Sequence, residues 1–97
     1  MNKNKINELK IIFSSLSGAE EKLIVNFVSL DENILYSINC KKTDKFSKIE
    51  ELLYDKYPNY KNINNYFILK GNQINKDKNL FDNNIKDNGI ITLVNPL

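Results

Sequence analysis

The chain has 97 residues, 41% of them hydrophobic and 27% charged, which is enough for one folded domain with one apolar core and too little for a second. Its fourteen basic residues are all lysines, spread evenly against twelve acids: four against three over 1–22, five against six over 23–60, and five against three over 61–97. The even spread leaves no basic stripe and no arginine for bidentate contacts, against nucleic-acid binding, and the absence of histidine excludes Ser-His and Cys-His nucleophile pairs, histidine general bases and imidazole zinc sites.

Ile6, Leu9, Phe13 and Leu16, with Ile12 beside them, lay an apolar stripe along a helix of about three turns. Ser14, Ser15, Ser17 and Gly18 supply its stop. Residues 1–22 therefore read as an N-terminal extension whose stripe needs a cover, and 23–97 as the domain.

From Leu23 the period changes to two. Leu23, Val25 and Phe27 alternate with Ile24, Asn26 and Val28. Asp31-Glu32-Asn33 then turns the chain, with Asn33 expected in the left-handed position, and Ile34, Tyr36, Ile38 and Cys40 alternate on the return strand, together a β-hairpin. Cys40 shares the phase of Tyr36 and Ile38, so it reads as a small buried hydrophobe.

Thr43 and Asp44 are expected to cap a helix whose apolar residues are Phe46, Ile49, Leu52, Leu53 and Tyr57, ended by Pro58; a one-faced helix after a hairpin is built to pack on a sheet. Asn59 to Asn65 reads as a loop with Tyr60 and Ile63 tucked beneath it. Tyr66 to Leu69 is a strand, Lys70-Gly71-Asn72-Gln73 turns it towards a short strand around Ile74, and Asn79 caps a single turn with Asp82 reaching back. Asp87-Asn88-Gly89 is a turn, and Ile90 to Val94 is the last strand.

The order strand, strand, helix, strand, short strand, strand resembles that of ubiquitin and the ubiquitin-like domains. Three stretches carry the resemblance: Asp44 to Leu53, Phe67-Ile68-Leu69-Lys70-Gly71, and Leu80-Phe81-Asp82-Asn83-Asn84-Ile85 leading to Ile91-Thr92-Leu93-Val94. The resemblance implies an α+β class and a β-grasp fold, a mixed sheet of four to five strands around one helix, here with an N-terminal helical extension. It also implies a protein that is not an enzyme, needs no cofactor or metal, and works through a surface as an adaptor of the ubiquitin pathway. Some members are conjugated through a C-terminal Gly-Gly. This chain ends Val94-Asn95-Pro96-Leu97, so the expectation is a non-conjugating member.

The family's exposed apolar patch falls, residue by residue, on Ile68 and Val94, with Thr92 at the histidine position, Leu30 near the loop leucine, and Tyr66 and Asn72 at the flanking basic positions. Strand alternation reaches the same face independently: if Phe67, Leu69, Ile91 and Leu93 point at the helix, then Tyr66, Ile68, Lys70, Ile90, Thr92 and Val94 point away. The expected binding residues are Ile68, Val94, Thr92, Leu30, Tyr66 and Lys70. The expected partners are proteins, of the ubiquitin-receptor kind, with no nucleic acid, membrane or small-molecule substrate.

Alternatives are a subunit whose own N-terminal helix covers that patch, a domain that hangs from a second protein bound to that helix, and a β-grasp domain that pairs its second strand with a small GTPase through Lys41, Lys42 and Lys45. Paired acids such as Asp31-Glu32 lie in a tight turn, not a pocket. No apolar run approaches the roughly twenty residues of a membrane span, no signal peptide is visible, and a lone cysteine cannot make an internal disulfide. The expected compartment is cytoplasm or nucleus.

Overall fold

The computed structural model describes residues 21–95. The helix expected on Ile6, Leu9, Phe13 and Leu16 lies outside the described residues, as do Pro96 and Leu97. The elements are β1 (Lys22–Ser29), β2 (Leu35–Lys41), α1 (Phe46–Lys56), a 3-10 turn (Pro58–Tyr60), β3 (Tyr66–Leu69), β4 (Asn72–Gln73) and β5 (Gly89–Val94). They form an α+β structure in which five strands, in the order β2-β1-β5-β3-β4, carry one helix on one face. The sheet is mixed: β1 and β5 run parallel at its centre, and the remaining pairs are antiparallel.

Period two decides what each strand buries. Leu23, Val25 and Phe27 of β1, Ile38 and Cys40 of β2, Phe67 and Leu69 of β3, and Ile91 and Leu93 of β5 all face the helix and are buried. Phe27, Phe46 and Phe67 meet at the centre, one each from β1, α1 and β3. Their ring centroids are 6.1, 5.8 and 4.9 Å apart in tilted and edge-on arrangements, the geometry that aromatic quadrupoles favour. Burial of each such ring contributes about 1.5–3 kcal/mol before the cavity cost of losing it is counted.

The helix forms on the stripe Phe46, Ile49 and Leu53, at the spacing of one helical face. Leu52, expected inside, is 41% exposed because a turn of about 100° per residue carries it well off that stripe. Tyr54 is buried in its stead. Its hydroxyl donates to Glu50 Oε2 at 2.6 Å and accepts from Asn65 Nδ2 at 3.1 Å, so the polar tip is satisfied on the side of the 60s loop.

Thr43 and Asp44 do not cap the helix. The N-cap is Lys45, without a side-chain bond, and the helix's first amides are taken from outside it: Phe46 N–H donates to Lys78 O at 3.0 Å and Ser47 N–H to Lys76 O at 3.1 Å. A tertiary loop thus satisfies the donors that a side-chain cap would otherwise serve. Asp44 is freed to accept the Lys41 amide at 2.9 Å and the Lys48 ammonium at 3.3 Å.

The first turn also differs in detail, since Glu32, not Asn33, adopts the left-handed conformation, at φ 62°. Asp31 Oδ1 accepts the Asn33 amide at 3.1 Å and the Ser29 hydroxyl at 2.5 Å, an Asx-type bond that places the positive φ between them. Asparagines organise much of the segment between β4 and β5. Asn83 alone accepts from the Asn75 amide and donates to the carbonyls of Asn75 and Asn79, all within 2.9–3.0 Å. Asn79 accepts from the Asp82 amide at 2.7 Å as expected, but no bond back from the Asp82 side chain accompanies it among the described residues.

Candidate protein-binding face

Because β3 and β5 bury their odd-numbered residues, their even-numbered ones form the opposite face of the sheet. The register sets Tyr66 opposite Val94 and Ile68 opposite Thr92, so four of the six residues expected at the binding face adjoin one another. All four are half-buried. Lys70 is exposed at the end of β3, where Lys70 at φ 50° and Gly71 at φ 83° make the tight turn to β4; two consecutive positive φ values are the requirement of such a hairpin turn, and glycine meets it without strain. Leu30 is 72% exposed and follows directly on the last β1–β5 pair, Ser29 with Leu93, at the end of the sheet where Val94 lies.

The neighbouring strands enlarge this face. Val28 pairs with Thr92 across β1 and β5, and with Leu35 across β1 and β2. One row therefore crosses all five strands: Leu35, Val28, Thr92, Ile68 and Gln73. Leu35 is 79% exposed, and Ile90, one step along β5, is 61% exposed. Large apolar side chains gathered on a solvent-facing sheet, instead of scattered singly, are the surface feature that calls for a contact. Leu35 and Val28 are additions to the expected set. Their signal was present in the sequence as the phase opposite to Ile34, Tyr36, Val25 and Phe27.

Towards the other end the face becomes polar. The Ser37 hydroxyl donates to Asn26 Oδ1 at 2.5 Å, and Asn26 Nδ2 donates to Asn88 O at 3.2 Å. Lys41 lies across from Lys22. Of the three lysines considered for an acidic partner, Lys42 is committed elsewhere: its ammonium contacts Glu21 at 2.7 Å and lies 5.2 Å from the Phe81 ring centroid. Lys41 and Lys45 are exposed, but the backbone of Lys41 is occupied, its amide by the Asp44 carboxylate and its carbonyl by the Asp44 amide, both at 2.9 Å. The β2 edge is therefore closed at that end to an incoming strand.

The titratable groups outside the face serve the fold. Cys40 is buried, and desolvation, followed by the charges of Asp44 and Asp87, pushes its thiol up to about 11, which leaves it protonated and unreactive at neutral pH. Hydrogen bonds from the Ser29 hydroxyl, the Asn33 amide and the Tyr60 hydroxyl hold Asp31 down at about 2. Burial, then the bond to Glu50, raises Tyr54 above the usual phenol range. None of these three titrates near neutral pH, where a general acid or base would work best. Among the described residues, no three His, Cys, Asp or Glu side chains cluster to hold a metal ion, and no helix is long and apolar enough to cross a membrane.

Comparison of the sequence with known proteins returns no matching family model and no matching curated protein.

Proposed function

We propose that residues 23–97 are a ubiquitin-like β-grasp domain, non-catalytic, that mediates protein–protein association in the cytoplasm or nucleus through the sheet face around Ile68 and Val94. The fold reading is supported by the strand order β2-β1-β5-β3-β4, with a parallel central pair and the helix between β2 and β3. The function rests on one observation: a row of Leu35, Val28, Thr92 and Ile68, apolar except at Thr92, runs across the sheet face opposite the helix. Such a row supplies the dry centre of an interface, with Ile68 and Val94 in the middle and Lys70, Asn72 and Thr92 as a polar rim. The polar residues that replace the family's basic rim favour receptors that read the apolar centre over those that read charge.

The test is affinity capture from cell extract by the full chain, by Ile68→Asp and by a Lys41→Glu/Lys42→Glu variant, followed by titration of the purified partner. The expected outcome is a partner whose affinity falls more than about tenfold with Ile68→Asp and is unchanged by the lysine reversals. Loss with the reversals alone would replace this reading with an acidic partner at the β2 end.

A further inference from the structure

Seventeen asparagines lie in the chain, and only Asn88 is followed by a glycine. The pairing matters chemically, because a backbone amide nitrogen can attack the side-chain carbonyl of the asparagine before it, and a residue without Cβ obstructs that attack least. The fold requires both residues. Asn88 takes a left-handed φ of 64°, which asparagine tolerates better than most residues, and a Cβ at position 89 would stand 3.0 Å from Lys86 O. Asn88 is exposed, at the entrance to β5.

The peptide unit between these two residues is held at both ends. Its carbonyl, Asn88 O, accepts from Asn26 Nδ2 at 3.2 Å, and its N–H, on Gly89, donates to Lys86 O at 2.9 Å. Asn26 is itself oriented by Ser37, whose hydroxyl donates to Asn26 Oδ1 and so leaves the amide's donor for Asn88. On the preceding side, the Asn88 amide donates to Ile24 O at 2.7 Å. Ser37 and Asn26 thus interrupt the apolar side of the sheet with a polar chain that ends on this one peptide. Attack requires the Gly89 amide to lose its proton and the unit to turn towards Asn88 Cγ, and the bonds at both ends oppose it.

We propose that Asn88 is a site of spontaneous conversion to aspartate and isoaspartate, with water as the co-reactant, and that Ser37, Asn26 and Lys86 O restrain it in the folded chain. Hydroxide takes the Gly89 amide proton, and the nitrogen bonds to Asn88 Cγ. The Cγ–Nδ2 bond breaks and ammonia leaves, its third hydrogen supplied by the water just formed. Water then opens the cyclic imide. Cleavage at Cγ restores the main chain with aspartate at position 88, next to Asp87; cleavage at the main-chain carbonyl routes the chain through Cγ as isoaspartate. The second product adds a carbon to the backbone immediately before Gly89, which pairs with Val25 at the start of the β1–β5 ladder. The site is independent of the association proposed above.

The experiment incubates the full chain at pH 8, native and in urea, and follows each asparagine by peptide mass spectrometry, with aspartate and isoaspartate peptides separated by chromatography. In urea, Asn88 is expected to convert before any other asparagine. In the native chain its conversion is slower, and Asn26→Ala speeds it about fivefold, the worth of one neutral hydrogen bond. Ser37→Ala acts in the same direction with a smaller effect. Ile49→Val, a core change in α1 away from this peptide, separates local release from unfolding: it lowers the urea midpoint and leaves the native rate at Asn88 unchanged. Earlier conversion of another asparagine in urea overturns the site. The restraint is overturned by a native rate that equals the rate in urea, that Asn26→Ala does not move, or that Ile49→Val raises as far as Asn26→Ala does.

Discussion

The two faces of the sheet are made by the same strands, residue by residue in alternation, yet they have opposite characters. On the helix side, Phe27, Phe67, Ile91 and Leu93 are fully or almost fully enclosed, and Phe46 packs against two of them, tilted on Phe27 and edge-on to Phe67. On the far side, their immediate sequence neighbours Val28, Ile68, Ile90, Thr92 and Val94 stay half-buried or exposed. Among the described residues, the mixed sheet has a helix on one face alone, so apolar residues on the other are not explained by packing against that helix. That asymmetry separates the residues that hold the fold from those available for association.

The comparison breaks most sharply between adjacent residues. Phe67→Ala removes a ring from the aromatic cluster and is expected to cost about 3–5 kcal/mol, read as a lower midpoint in urea unfolding. Ile68→Asp, one residue along and on the other face, is expected to cost on the order of 1 kcal/mol or less. Equal costs would mean that the far face is as much a core as the near one. Leu35→Ser sharpens the point: a change within about 0.5 kcal/mol is expected from so exposed a residue, together with weaker binding of any partner that requires Ile68.

Thiol chemistry compares the faces without unfolding the protein. Cys40 lies on the helix side with its thiol at about 11, so in the native state it is expected to resist alkylation at pH 8 and to react only as the chain unfolds. A Leu35→Cys variant places a second thiol on the open face, where labelling by the same reagent within the native state is expected. Mass spectrometry of the labelled peptides distinguishes the two sites.

The smallest expected effect concerns Asp31, at the turn between β1 and β2. Its carboxyl is held at about 2, below the ordinary 3.8, by the bonds from Ser29, Asn33 and Tyr60. Because the folded value is depressed, the stabilisation is present above the unfolded value and is lost as pH falls from 3.8 through about 2. Asp31→Asn is therefore expected to be less stable than the parent at pH 6, with the difference shrinking through that window. Urea titrations at a series of pH values read it directly. Loss of Asp31 should leave partner binding through Ile68 unchanged.

Much of the candidate face was legible before the strands were assembled. Phe67 and Leu69 against Tyr66 and Ile68, and Ile91 and Leu93 against Thr92 and Val94, follow from period two alone, and the Gly71 turn was visible as a turn. Leu35 and Val28 were less evident. Each has the right phase, but membership of the row requires knowing that β1 adjoins β5 and that β2 adjoins β1. The helix start shows the same limit: Thr43 and Asp44 carry the chemistry of caps, and only the carbonyls of Lys76 and Lys78, some thirty residues on, made such a cap unnecessary. Tyr54 replaced Leu52 in the buried set once Glu50 and Asn65 were near enough to satisfy its hydroxyl.

The sequence by itself determined which residues of each strand share a face and where the helix carries its stripe. These are local consequences of backbone geometry, because a side chain's direction is set by its own strand or helical turn. The tertiary structure decided which strands are neighbours. The parallel pairing of β1 with β5 joins residues such as Asn26 and Ile90 that lie far apart in the chain, and it is selected by the requirement that the helix cover one continuous apolar layer while every inner strand finds hydrogen-bonding partners on both edges. Only that lateral order turns separate half-buried residues into one row across the sheet.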